Sequence, residues 1–208
     1  MNKPVVLLSI IAIIANEAYS QKEKVQYFGS PMLTDSLSTL FIPTRYGEEF
    51  LSTNKIAFWG NYYANILVYN YKADTYRRLF TEDTFIESFK VVGRSPYYLS
   101  GPEKTQNISS RWVFLLVKTS DTNKSGRIDE RDPSILFAVT TQGDNLKQVT
   151  SEQENVVSFQ VFDKLGFALL KIQKDSDHDR SFKNEDKVFY FRKINLDDLT
   201  LGNRIELN

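Results

Sequence analysis

RWVFLLVKTSDTNKSGRIDERDPSILFAVTTQGDNLKQVTSEQENVVSF, Arg111 to Phe159, is the stretch on which the fold turns. Two apolar runs, Trp112–Val117 and Ile135–Val139, flank a loop of short oxygen-bearing side chains. A polar turn of Gly143, Asp144 and Asn145 then leads to a third run beginning at Val156. Runs this short, bounded by turn residues and rich in branched and aromatic side chains, read as strands. The same order recurs downstream: LGFALLKIQK from Leu165, a second acidic loop from Asp175 to Asp186, and KVFYFRKINLDDLTLGNRIEL from Lys187. Upstream, Lys55–Phe89 shows a looser version, in which an apolar run at Ile56–Trp59 meets Ile66–Tyr71 across a Gly and Asn turn.

This repetition predicts an all-β, antiparallel fold of blade-like units. Fifteen Phe and 11 Tyr agree with it, because aromatic rings pack well on a half-buried pleated surface. No long amphipathic helix and no linker rich in Pro, Gly or Ser interrupts the chain, so residues 21–208 are expected to form a single β domain.

Segments such as ILFAVTTQGDNLKQVT resemble the blade of TolB-type propellers, in which a strand, a polar turn containing Gly and an L-x-x-L-T ending recur. Leu146, Val149 and Thr150 carry that ending, and Tyr76, Leu79 and Phe80 carry a looser form. The resemblance implies a partial or degenerate β-propeller of three or four repeats over most of residues 55–208. Closed propellers have about four to eight blades. The segment Gln26–Gly47, with its Pro and Gly punctuation, is the expected source of a fourth unit. The alternatives are an open or partnered structure, or a plain β sandwich, which shares much of the pattern.

The acidic loops carry the chemistry. A hard cation takes six to eight oxygens, and a twelve-residue loop supplies them from positions one, three, five, seven through its carbonyl, nine and twelve. In DTNKSGRIDERD these are Asp121, Asn123, Ser125, the Arg127 carbonyl, Asp129 and Asp132, with Gly126 at the sharp turn and Ile128 as the apolar eighth residue. The loop resembles that of the EF-hand and, with Asp at twelve, the dockerin loop. That likeness implies a shared loop without a shared fold, because strand-like segments flank it.

The second loop, DSDHDRSFKNED, offers Asp175, Asp177 and Asp179, the Ser181 carbonyl and Asp186, with Phe182 at eight. It departs at six, where Arg180 replaces Gly, and at nine, where Lys183 leaves water to complete the shell. Oxygen ligands select Ca2+ over transition metals, and a lone His178 cannot build an imidazole site. A solvated acidic turn is the competing reading, since Asp, Asn, Ser and Gly all favour turns.

The first twenty residues, MNKPVVLLSIIAIIANEAYS, read as a signal peptide: Lys3, an apolar run from Val5 to Ala15, then Ala18 and Ser20 before a cut ahead of Gln21. That run is short of the roughly 20 apolar residues a membrane span needs. The expected address is therefore the periplasm or the exterior, with no membrane span in the mature chain. The sequence contains no Cys, which excludes disulfides and thiol chemistry. Acids and bases balance at 26 each, which argues against nucleic acid as a partner.

No phosphate loop, nucleophile elbow or paired His motif is present, and a Ser/His/Asp triad would need the loop residue His178. The expectation is a secreted calcium-binding module or scaffold with a protein or glycan partner, not an enzyme. The alternative is an extracytoplasmic hydrolase of glycan or peptide using paired carboxylates. The Tyr-rich stretch Trp59–Arg78 is expected to split its rings between the core and a sheet surface.

Overall fold

In the computed structural model of the chain, residues 26–34, 38–46, 62–92, 111–182 and 185–207 are described. The expected signal peptide, the run Ile56–Trp59 and Lys183 lie outside them. The described residues form three antiparallel sheets and a single short 3₁₀ turn at Asp163–Leu165.

The first sheet comprises β1 (Gln26–Phe28), β2 (Met32–Leu33), β3 (Thr39–Tyr46), β4 (Asn65–Asn70) and β5 (Thr75–Arg78). β1 and β2 lie end to end along one edge of β3, with Phe28 opposite Thr44 and Met32 opposite Phe41, so together they act as one interrupted strand. The second sheet runs β6 (Phe85–Val91), β7 (Trp112–Lys118), β8 (Ile135–Thr140), β9 (Lys147–Gln148). The third runs β10 (Asn155–Phe162), β11 (Phe167–Gln173), β12 (Phe189–Asn195), β13 (Leu201–Ile205). Each is an up-and-down meander of adjacent strands, the arrangement of a blade.

The units read from the repeats are out of phase with these sheets by one strand. The run at Phe85–Phe89 opens the second sheet and does not close the first. The run at Val156 likewise opens the third. Gln26–Tyr46 supplies the leading strands of the first sheet, paired to β4 through Thr39↔Asn70 to Thr44↔Asn65, so this segment is not a fourth unit.

β7 explains the stacking. All seven of its residues are buried, because both faces of the second sheet are covered. Trp112, Phe114 and Leu116 join Ala168, Leu170, Ile172 and Ile194 in a core shared with the third sheet. Val113, Leu115 and Val117 join Phe41, Ile66 and Val68 in a core shared with the first. Strand alternation thus divides one apolar run between two cores.

Polar contacts pin both junctions. Thr34 Oγ1 donates to the Thr141 carbonyl at 2.8 Å, and Arg77 donates to the Gly143 carbonyl and pairs with Asp144. Gly143 has φ 84° and lies so close to Val68 that a Cβ there would collide with it, which is why this turn needs glycine. On the other side, Trp112 Nε1 donates to the Leu196 carbonyl at 2.7 Å and Val156 N to the Ser134 carbonyl at 2.8 Å.

The tyrosines divide between core and surface. Tyr63 packs on the core between the first two sheets, while Tyr71 and Tyr76 are exposed on and beside β5. Among the described residues no helix is long and apolar enough to cross a membrane.

Candidate metal centre

Both acidic loops join the second and third strands of their sheets, β7 to β8 and β11 to β12. A lead-in polar residue closes each at the strand end. Lys118, almost fully buried, donates through Nζ to the Asp132 carbonyl and to Ser134 Oγ at 3.0 Å, and meets Glu87 at 3.5 Å. Gln173 does the same in the third sheet, where Nε2 donates to the Asp186 carbonyl at 2.9 Å. The last residue of each loop is thereby tied back to the strand that leads into it.

Within the loops the backbone repeats position by position. Thr122 N donates to Asp132 Oδ1 at 2.8 Å, and Ser176 N donates to Asp186 Oδ1 at 2.8 Å. Gly126 N reaches Asp121 Oδ2 at 2.7 Å, and Arg180 N reaches Asp175 Oδ2 at 3.0 Å. Ser125 N reaches Asn123 Oδ1 at 2.8 Å, and Asp179 N reaches Asp177 Oδ1 at 3.2 Å.

Left-handed residues fall at the same two positions. Lys124 and Gly126 have φ 58° and 94°, and His178 and Arg180 have 62° and 60°. At Gly126 an added Cβ would meet nothing within 4 Å. Arg180 therefore fits the equivalent site sterically and bears a conformational cost of about 1 kcal/mol.

The loops differ in how their carboxylates gather. In the second loop Asp175, Asp177 and Asp186 each bring a carboxylate oxygen within 4.8 Å of the others. Asp175 Oδ1 is enclosed and has no hydrogen-bond partner, an arrangement that costs free energy unless a cation faces it. Asp179, at position five, is exposed, with Oδ1 accepting from Ser181 N at 2.7 Å.

In the first loop the neutral Asn123 and Ser125 occupy positions three and five. Asp129 Oδ1 accepts from Arg131 N at 2.9 Å, Asp129 Oδ2 lies 3.4 Å from Ser125 Oγ, and the Arg127 carbonyl accepts from Ser125 Oγ at 2.9 Å. Asp132 is fully buried and takes amides at both oxygens, from Thr122 and from Asp129. A three-carboxylate cluster thus forms in the second loop, whereas the first relies on mixed oxygen donors.

Of the apolar eighth residues Phe182 is buried and Ile128 half-buried, and His178 is exposed. The loops also touch one another. Phe182 N donates to the Arg131 carbonyl at 2.8 Å, and Thr122 Oγ1 to the Arg180 carbonyl at 3.1 Å.

A second connection runs beneath them: Ser134 N donates to Asn155 Oδ1, and Asn155 Nδ2 to Gln173 Oε1, both at 2.8 Å. Lys118, Ser134, Asn155 and Gln173 therefore form one chain of hydrogen bonds between the loop ends. No loop motif marks these residues, because their partners are remote in sequence. The one visible signal was a lysine closing the otherwise apolar run WVFLLVK.

No family model matches the chain, and no curated protein matches it. Among solved structures, an oligogalacturonate lyase in complex with manganese aligns with a TM-score of 0.48 and 10% identity, over 88% of this chain and 42% of that chain. The chain thus spans less than half the length of that structure.

Proposed function

We propose that the chain is a calcium-braced β-repeat protein of the extracytoplasmic space, serving as a binding or scaffold module. The observation that carries this reading is the repetition of one loop geometry at equivalent positions of adjacent sheets, with the two loops in contact. Ca2+ would be held by Asp175, Asp177, Asp179, Asp186 and the Ser181 carbonyl in the second loop. In the first it would be held by Asp121, Asn123, Ser125, Asp129, Asp132 and the Arg127 carbonyl. The cation would neutralise the crowded carboxylates and fix the junction between the second and third sheets.

A brace of this kind stabilises the folded state by RT ln(1 + [L]/Kd), about 2.7 kcal/mol when calcium stands at a hundred times Kd. Thermal melting with calcium and with chelator tests the reading. Calcium should raise the Tm of the wild-type chain, and Asp121→Ala should lose a large part of that rise. Melting curves that coincide for both proteins in both conditions would identify the loops as solvated turns.

A further inference from the structure

A groove of about 930 Å³ opens beside the second loop, between the turn Ser151–Glu154 and the strands β12 and β13. Its floor is a locked polar cluster. Glu154, buried, accepts from Tyr190 Oη at 2.8 Å and from Arg192 at 3.0 and 3.3 Å, and the Arg204 guanidinium lies 4.5 Å over the Tyr190 ring. Burial, reinforced by the Glu154 carboxylate, pushes the Tyr190 phenol well above its ordinary range and keeps it protonated. The floor is thus neutralised internally, and Glu154 is engaged on both sides, which suits positioning rather than proton transfer.

The walls are different. Lys174 and Arg180 are exposed, line the groove and make no ion pair among the described residues. Arg204, which also pairs with Glu206 at 3.7 Å, adds a third cation, and Glu152 is the only carboxylate of the lining outside the floor and the acidic loop. Gln148, Ser151 and Gln153 line the rest with amide and hydroxyl groups. Few apolar side chains line it: Phe182 is buried, and the Tyr190 ring at the floor is capped by Arg204. A neutral sugar would find no bare aromatic face to stack on, and an apolar peptide side chain would find no pocket. A ligand with regularly placed carboxylates and many hydroxyls meets both the cations and the hydrogen-bonding groups.

The geometry points to this groove as a binding site for acidic carbohydrate, a chain of uronic acid residues. The site deepens the reading of the protein as a binding module and gives that module its ligand class. Lys174 and Arg180 hold ligand carboxylates. The polar residues of the Ser151–Glu154 turn and β9 receive its hydroxyls.

Calorimetric titration of the full chain, loaded with calcium at low salt, tests it with three probes: a galacturonate hexamer, the carboxyl-reduced neutral hexamer, and a hexa-aspartate peptide. The galacturonate hexamer is expected to bind, more weakly as salt rises, and the other two to bind at least about tenfold more weakly. Arg180→Gln and Lys174→Gln should each lower its affinity about fivefold or more, and Lys174→Gln should leave the calcium-dependent Tm shift in place. Equal binding of the neutral hexamer, preference for the peptide, or no binding of the galacturonate hexamer to chain whose Tm responds to calcium would overturn the site. The last result would leave the calcium brace standing.

Discussion

The Phe182 amide nitrogen donates to the Arg131 carbonyl oxygen at 2.8 Å, joining position eight of the second acidic loop to position eleven of the first. If both loops hold ions, as proposed, loops joined in this way share the cost of being ordered. An ion that fixes one lowers the entropy still to be lost by the other. Residues in one network show non-additive energies. Asp121→Ala should therefore weaken calcium binding in the second loop by about threefold or more, although Asp121 belongs to the first. Calorimetric titration of the variant against wild type measures this. An unchanged affinity in the second loop would show that the contact transmits nothing.

Lys118 is a buried cation at the foot of β7, and it serves two carbonyls and a hydroxyl at once. Lys118→Met keeps the stem and removes the donor, leaving the Asp132 carbonyl, Ser134 Oγ and Glu87 short of a partner. The expected loss is about 3 kcal/mol, read as a lower urea midpoint with unchanged slope. A loss below about 1 kcal/mol would mean that water replaces the ammonium.

Arg180 holds φ 60° where the first loop uses glycine. Arg180→Gly should stabilise the chain by about 1 kcal/mol and at the same time weaken binding of the galacturonate hexamer. Opposite signs in two assays on one variant separate backbone strain from side-chain recognition. A variant less stable than wild type would refute the strain assignment.

Tyr190 adds an alkaline limb to stability. Its phenol pKa is raised in the folded state by burial and by Glu154. The unfolded chain, with an ordinary phenol near pH 10, therefore releases its proton first as pH rises. The stabilisation is complete below about pH 10 and is lost on the way up to the folded value. Tyr190→Phe should flatten that limb and cost about 1 kcal/mol at neutral pH through the lost hydrogen bond to Glu154. Denaturant midpoints measured from neutral to strongly alkaline pH check both parts, and an identical alkaline limb in the variant would assign it to other groups.

Much of the fold was legible because β7 reads as a continuous apolar run, which in a strand means burial on both faces. The loop spacing was equally legible: the left-handed residues fall at positions four and six in both loops, where Gly126 marked one of them. The phase of the units was not. Ser151–Glu154, which crosses from one sheet to the next, has the polar, turn-forming composition of a hairpin within a sheet. Gln26–Gly47 reads as the source of a fourth unit because the pairing of β3 with β4 spans a long intervening segment, and local pattern carries no information about such contacts. The groove was hidden for the same reason. Glu154 and Arg192 meet from positions 38 residues apart, and neither belongs to a recognisable motif.

Equilibrium dialysis against calcium, with the ion counted per chain, tests the central claim most directly. The two-loop account predicts two ions per wild-type chain, one in Asp175→Asn/Asp177→Asn, where the carboxylate cluster is dismantled, and little competition from magnesium, whose tight octahedral shell suits these loops poorly. Binding of no calcium by the folded wild-type chain, or two ions retained by the double variant, would contradict it.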